Sequence, residues 1–318
     1  METNVRPAAS KTLLAFAIVY LVWGSTFWAI RVGVREVPPF LLAGVRFLAA
    51  GVILFVWMLG KGTALPTRRE WTAASSLAVL IFVLDYGLLF WAEQRVPSGI
   101  AAVMMATIPV FMALLEIIFL RTQELTWRLT IALLVGMLGV AVLMSHSVAF
   151  GEAPIAGTGA VALLIASLSW STAAILTRKL PLPASKPMSS AAQMLSGGVL
   201  LMLTAAILGE FHGFRVQAVS RGAWLALIYL IVAGSIVAFT AYVWLIHHQS
   251  PTKVGTYAYV NPVVAVGVGY FLGGEVIGPR TLLGTVLVLV SVVVITTMAA
   301  PRRDTALRTR KVEPVAEQ

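Results

Sequence analysis

Asp85, Arg46 and Glu116 are the formally charged residues that fall well inside long apolar stretches of this 318-residue chain. A charge at the centre of a bilayer costs a few kcal/mol or more, so each such side chain must face protein or water rather than lipid. Counting residues along their stretches at about 1.5 Å of rise each puts Asp85 and Arg46 at comparable depth. Two readings stay open for them. They form an ion pair that neutralises itself and braces the second and third stretches. Or Asp85 titrates or binds a substrate amine, while Arg46 orients a substrate carboxylate or tunes Asp85. Glu116 lies one turn from the end of its stretch, where it snorkels or pairs with Arg121. Asp85 and Glu116 are therefore the candidates for coupling to protons.

Aromatic and small polar residues form a second constellation. Trp23 lies near the middle of its stretch beside Ser25 and Thr26, and Trp170 near the middle of another beside Ser171 and Thr172. A bulky ring with one N–H donor beside hydroxyls suits a pocket for a largely apolar substrate with a few polar groups. Close helix packing uses the same residue types. Tyr86, Tyr242, Tyr257 and Asn261 extend the candidate substrate pathway. Pro109 and Pro262 each remove a backbone donor and are the candidates for helix kinks, as moving hinges or as fixed bends. His247-His248 has no further ligands at suitable spacing, so no metal site is expected. Gly60-Lys61-Gly62 does not fit a phosphate-binding loop, and neither a zinc-protease helix motif nor a nucleophile elbow is present. No cofactor is expected.

The elements that carry these residues must be membrane helices. The chain is 59% hydrophobic and 11% charged, against about 25% charged in soluble domains. Ten apolar stretches are read as spans: Leu13–Ile30, Pro39–Leu59, Trp71–Ala92, Pro97–Leu120, Leu129–Ser145, Pro154–Thr177, Pro187–Gly209, Gly222–Ile246, Val254–Gly274 and Thr281–Ala300. Most approach or exceed the roughly 20 residues that cross a hydrocarbon core. Lipid offers no partner to unpaired backbone groups, so each span is helical. The first stretch is too long for a signal peptide and has no small-residue cleavage site, so it reads as a retained span. The chain has no cysteine, which removes disulfides and thiolate metal ligands.

The spans fall into two sets of five. Trp23 and Arg31 reappear as Trp170 and Arg178 at one spacing; Trp91 and Pro109 reappear as Trp244 and Pro262 at a slightly longer one, and Glu124 as Glu275. An odd number of spans turns the second copy over, which gives an inverted repeat with a substrate site at the midplane. The expected division is residues 1–11 as a cytoplasmic segment, 12–148 and 149–300 as the five-helix repeats, and 301–318 as a basic, disordered tail. Charge sets the orientation. With both termini in the cytoplasm, Arg31, Arg35, Arg95, Arg215, Arg221 and Arg280 lie outside, Arg46 lies in the membrane, and every other Lys and Arg lies inside. The cytoplasmic face then carries the whole net charge of +10, as the positive-inside rule requires. The basic excess reports topology and not a nucleic-acid partner. Between the copies, Arg46 corresponds to Gln193 and Asp85 to Ala238, so the buried charges are confined to the first repeat.

Trp23-Gly24-Ser25-Thr26-Phe27, Pro38-Pro39 followed by Arg46-Phe47, Thr107-Ile108-Pro109-Val110 and Asn261-Pro262-Val263 together resemble the EamA family, the ten-helix branch of the drug/metabolite transporter superfamily. Glu124 and Glu275, which close spans four and nine, match that pattern too. Where the family has Gly-Glu, the chain has Thr122-Gln123-Glu124 in the first repeat and Gly273-Gly274-Glu275 in the second, so the first copy is the less regular. The resemblance covers both repeats. It implies a 5+5 inverted bundle and export of small metabolites or drugs without an ATP-binding domain.

The expected protein is an all-α, ten-span secondary transporter of a bacterial inner membrane, not an enzyme. It would export small metabolites, amino-acid-like compounds or drugs by alternating access, driven by protons or by the substrate gradient. A lipid or lipid-linked carrier flippase is the alternative, and a membrane-embedded enzyme a weaker one. Gly267, Gly269 and Gly273 give a small-residue face that would serve packing within the bundle or a homodimer.

Overall fold

The computed structural model describes residues 9–95, 101, 104–149, 157–273 and 278–298. Every regular element among them is a helix: α1 Ala9–Val34, α2 Pro39–Gly60, α3 Arg68–Glu93, α4 Ile108–Leu120, α5 Trp127–Ala149, α6 Gly157–Thr177, α7 Lys186–Ile207, α8 Arg221–His248, α9 Tyr257–Gly273 and α10 Pro279–Thr297. A short helix, Pro251–Gly255, precedes α9. Six of these, α1, α2, α3, α6, α7 and α8, are long and apolar enough to cross a membrane; the apolar lengths at α4, α5 and α10 are shorter. Helix starts follow from local chemistry. Thr67 and Glu70 form a capping box at α3, Ser185 and Ser220 cap α7 and α8, and Pro39 opens α2 where its missing N–H costs nothing. Large apolar residues such as Leu21, Val56, Leu203 and Val286 remain exposed, a surface suited to hydrocarbon and not to water.

The two halves of the chain are interleaved. The first helix of each half packs on the third helix of the other: α1 lies against α8, and α6 against α3. The pattern continues with α1 on α9 and α6 on α4, while α2 pairs with α7 and α5 with α10. Glycine permits the α2–α7 approach. A Cβ on Gly51 would lie 2.8 Å from the Leu195 backbone nitrogen, and one on Gly198 would lie 2.5 Å from that of Leu48. Without a hydrophobic drive between helices in lipid, such close backbone packing is what holds them. The first helices of the two halves also end at opposite ends of α8. Glu36, just after α1, binds Ser220 at the start of α8, whereas Arg178, just after α6, donates to the Gln249 carbonyl beyond its end.

The helix irregularities differ from the expected ones. Val79–Gly87 in α3 and Leu230–Val237 in α8 are π-helical, at overlapping places in the two halves. Neither segment has a proline, so nothing in the residue pattern announced them; π segments often occur at functional sites. Pro109 does not kink a continuous span. The chain turns before it, and Pro109 is in the first turn of α4. The span expected over 97–120 is thus interrupted. Pro262 does lie inside α9, and the ninth stretch is also interrupted at Thr256. The tail 301–318, residues 1–8, the 150–156 join and Glu275 lie outside the described residues, as do the surroundings of Gly269 and Gly273.

Candidate functional site

A small internal cavity lies where α1, α3, α4, α6 and α9 meet, with Trp23, Thr26, Asp85, Tyr86, Trp170, Tyr257 and Asn261 among its lining residues. The two halves meet on their related tryptophans. The Trp23 and Trp170 rings are 5.4 Å apart in an edge-to-face arrangement, and Tyr257 stands edge-on to Trp23 at 4.9 Å. Tyr242 packs behind both indoles, 5.2 Å from Trp23 and 4.8 Å from Trp170. Edge-to-face contacts of this kind add to the energy of burial and fix ring orientation. The cavity has about 40 Å³ open to water centres, room for a few waters and well below the several hundred Å³ of a drug-sized pocket.

The polar atoms at this cavity are not used up by the protein. Asp85 is 2% exposed and its Oδ1 has no hydrogen-bond partner. Asn261 Oδ1 and Trp170 Nε1 are likewise buried and unbonded. The Trp170 N–H lies near the Tyr242 and Tyr257 hydroxyls but meets hydrogen-bond geometry with neither. Trp23, by contrast, donates its Nε1–H to the Gly234 carbonyl at 3.1 Å, in the π segment of α8. The Thr26 hydroxyl is spent on the Trp23 carbonyl at 2.7 Å.

Several expected arrangements do not form. Asp85 and Arg46 make no ion pair; they point to different places. Arg46 Nε donates to Ser235 Oγ at 2.9 Å in the π segment of α8, and its guanidinium lies over the rings of Phe47, Tyr86 and Phe90. Its Nη1 and Nη2 have no hydrogen-bond partner. Tyr86 both lines the cavity and packs against the Arg46 guanidinium, whose centre lies 5.3 Å from its ring. Ser25 turns away from the cavity to bond the Leu21 and Val22 carbonyls and the Tyr229 hydroxyl. Glu116 neither snorkels nor pairs with Arg121, which adopts a left-handed conformation with φ 51° at the helix end. It is fully buried away from the cavity and accepts from Thr122 Oγ1, Thr252 N and Thr252 Oγ1. The free N–H groups in the first turn of Pro251–Gly255 are strong donors to a carboxylate.

Glu93 escaped the reading of the sequence because it follows the last apolar residue of its stretch. It is 8% exposed with neither carboxylate oxygen bonded, two turns beyond Asp85 on α3. The signal available was that register from Asp85.

Polar clasps join the halves at both ends of the bundle. At one end Glu36 accepts from Ser220 N and Oγ, and Glu210 accepts from Phe40 N and Leu41 N at the start of α2. The bonds from the Ser220 backbone and hydroxyl hold the Glu36 carboxyl below its usual range. Burial pushes Glu210 up, against the pull of the Leu41 and Phe40 N–H groups. At the other end, Glu116 binds Thr252 and Lys179 donates to the Phe119 carbonyl across the halves, while Arg178 donates to the Gln249 carbonyl within the second half.

Known proteins share this architecture. The EamA-like transporter family matches over residues 10–145 and 157–297. The chain is 38% identical over 285 residues to the inner membrane transporter YedA of Escherichia coli K12, covering 89% of each. It is 27% identical to PecM of Dickeya dadantii over 300 residues, covering 93% of this chain and 94% of PecM, and 24% identical to the Bacillus subtilis transporter YoaV, covering 87% and 94%. A crystal structure at 22% identity has the same fold, with a TM-score of 0.74 over 92% of this chain and 99% of that one. Two matched segments, each carrying one of the paired tryptophans, leave no doubt of kinship: the chain belongs to the EamA-like transporter family.

Proposed function

We propose that the chain is a secondary transporter of a bacterial inner membrane, built as two inverted five-span halves with both termini in the cytoplasm. It moves small metabolites, amino-acid-like compounds or drugs by alternating access through the aromatic cavity, and it is not an enzyme. The observation that carries this reading is the cavity itself. Trp23 and Trp170 meet there across the two halves, beside a buried Asp85 with an unbonded oxygen. Clasps at both ends, and a cavity too small for most solutes, fit a shut intermediate between two open shapes. Releasing one end at a time would let the halves rock about the tryptophan contact. A solute that binds one open shape better than the other would shift the balance between them.

Asp85 is the proposed proton site. The titratable groups facing it are Tyr86, Tyr242 and Tyr257, and the Arg46 cation lies 5.3 Å from the Tyr86 ring centre. Purified protein in proteoliposomes, tested with a panel of labelled amino acids, amines and aromatic compounds with and without a pH gradient, checks the reading. Asp85→Asn is expected to abolish gradient-driven flux. Unchanged flux and unchanged pH dependence would remove the proton role.

A lipid or lipid-linked flippase has one observation in its favour. An apolar groove of about 580 Å³ opens between α3 and α6, lined by Leu88, Trp91, Val161 and Ile165 among others. Translocation of a fluorescent lipid without flux of soluble solutes would favour that alternative.

A further inference from the structure

The lining of the central cavity has a sign. Its unbonded acceptors are Asp85 Oδ1 and Asn261 Oδ1, and its unbonded donor is the single indole N–H of Trp170. The rest is aromatic: Trp23, Trp170, Tyr86 and Tyr257 present rings around the same space. Aromatic faces carry negative potential, and a cation over them is stabilised most when it has left water. Among the described residues, no Lys, Arg or His lines the cavity. Arg46 does not line the cavity; its Nε is held by Ser235, its guanidinium lies over Phe47, Tyr86 and Phe90, and its Nη1 and Nη2 are unbonded.

An anionic solute would find one weak donor here and no basic side chain. A neutral solute fits beside Asp85 only when the carboxyl is protonated, because an ionised carboxylate would be left buried without a counter-charge. A cation satisfies the carboxylate, the amide oxygen and the rings together. The cavity is small in this shape, so the part of the solute that sits between the tryptophans is a compact head. We propose that the transported solute carries an alkyl- or quaternary-ammonium head, bound by Asp85 and Asn261 within the Trp23–Trp170–Tyr257 aromatic cage. This names the substrate class of the site proposed above and rests on that reading.

Three solutes of nearly one shape test it: choline, its neutral carbon isostere 3,3-dimethyl-1-butanol, and the zwitterion glycine betaine. Binding to the full-length protein in lipid nanodiscs is read by calorimetry and by quenching of tryptophan fluorescence. Choline is expected to bind at least tenfold more tightly than either of the others. Asp85→Asn is expected to erase that difference, and Trp170→Phe to weaken choline severalfold. Equal binding of choline and its isostere overturns the proposal. Tighter binding of betaine overturns it as well, since that result would bring Arg46 into the site as a carboxylate partner. The wild-type comparison decides even if Asp85→Asn does not fold. Flux of neutral solutes without any cation preference would sink this inference and leave the transporter standing. Cation binding without flux of any solute in proteoliposomes would do the reverse.

Discussion

Trp23 and Trp170 occupy related places in the two halves, yet they are held differently. Trp23 is tied to the π segment of α8 through Gly234, and Arg46, from the same half, is tied to the next residue, Ser235. The π segment of α3 receives from the other half one side-chain bond, from Ser169 to the Leu80 carbonyl at 2.9 Å. Trp170 leaves its N–H unbonded, and Gln193, which stands where the first half has Arg46, bonds Ser189 on its own helix. One π segment is therefore anchored twice from across the repeat boundary. The other is anchored once and carries Asp85. A duplicated scaffold has kept the Trp23–Trp170 contact between its copies and left Asp85 on α3, Trp170 on α6 and Asn261 on α9 with unbonded atoms at the cavity, while Arg46 and Glu93 carry unbonded atoms elsewhere. Buried polar atoms left unbonded cost stability, so the three that line one cavity from three different helices point to use rather than to support.

The most damaging change to that contrast is Asp85→Asn, expected to lower transport at least tenfold with little change in melting temperature. A large loss of stability with residual transport would make Asp85 a structural group. Next come the paired substitutions Trp23→Phe and Trp170→Phe. The first strands the Gly234 carbonyl and should cost about 1–3 kcal/mol of stability. The second removes an unbonded donor, so it should spare stability and impair binding. Thermal unfolding in detergent, set beside binding in nanodiscs, reads both, and a reversed pattern would break the comparison.

Arg46→Gln gives the first half the residue that the second half has. Losing the Ser235 bond and the aromatic contacts is offset by no longer burying a cation with two unbonded nitrogens. Stability should therefore change by less than about 1 kcal/mol, and denaturant unfolding would show a larger loss if Arg46 were a strut. The smallest effect concerns the clasps. Glu36 holds its charge to lower pH than usual, so its clasp persists above the ordinary carboxylate range and is lost as pH falls through its depressed value. Glu210 is raised, so it neutralises first as pH falls. With no native cysteine, single cysteines beside the clasps, at Leu41 and Val219, would report this order by thiol labelling, the Leu41 site becoming reactive at the higher pH.

Much of this site was visible in the residues. Trp23 and Trp170 were, because a mid-span indole recurring at a repeat spacing is rare by chance. The same spacing relates Gly51 to Gly198, an available sign of the α2–α7 contact. Glu93 was hidden by standing just past an apolar run, although the helix buries it. The Arg46–Asp85 pair was a fair inference from depth alone, but depth along a span says nothing of direction around it, and a π segment changes that direction. Glu116 misled for a related reason: its partners, Thr252 and Thr122, come from a helix start and a loop that depth arithmetic does not place.

Composition and periodicity determined that this chain is a bundle of membrane helices, because hydrocarbon forces every backbone group to pair within its own segment. The repeat of Trp, Arg and Pro determined that the bundle has two related halves. Only the tertiary structure decided which polar atoms meet and which stay unbonded. That outcome depends on the rotation of each helix about its axis and on how the two halves interleave, and a sequence encodes these only through contacts between residues far apart along the chain.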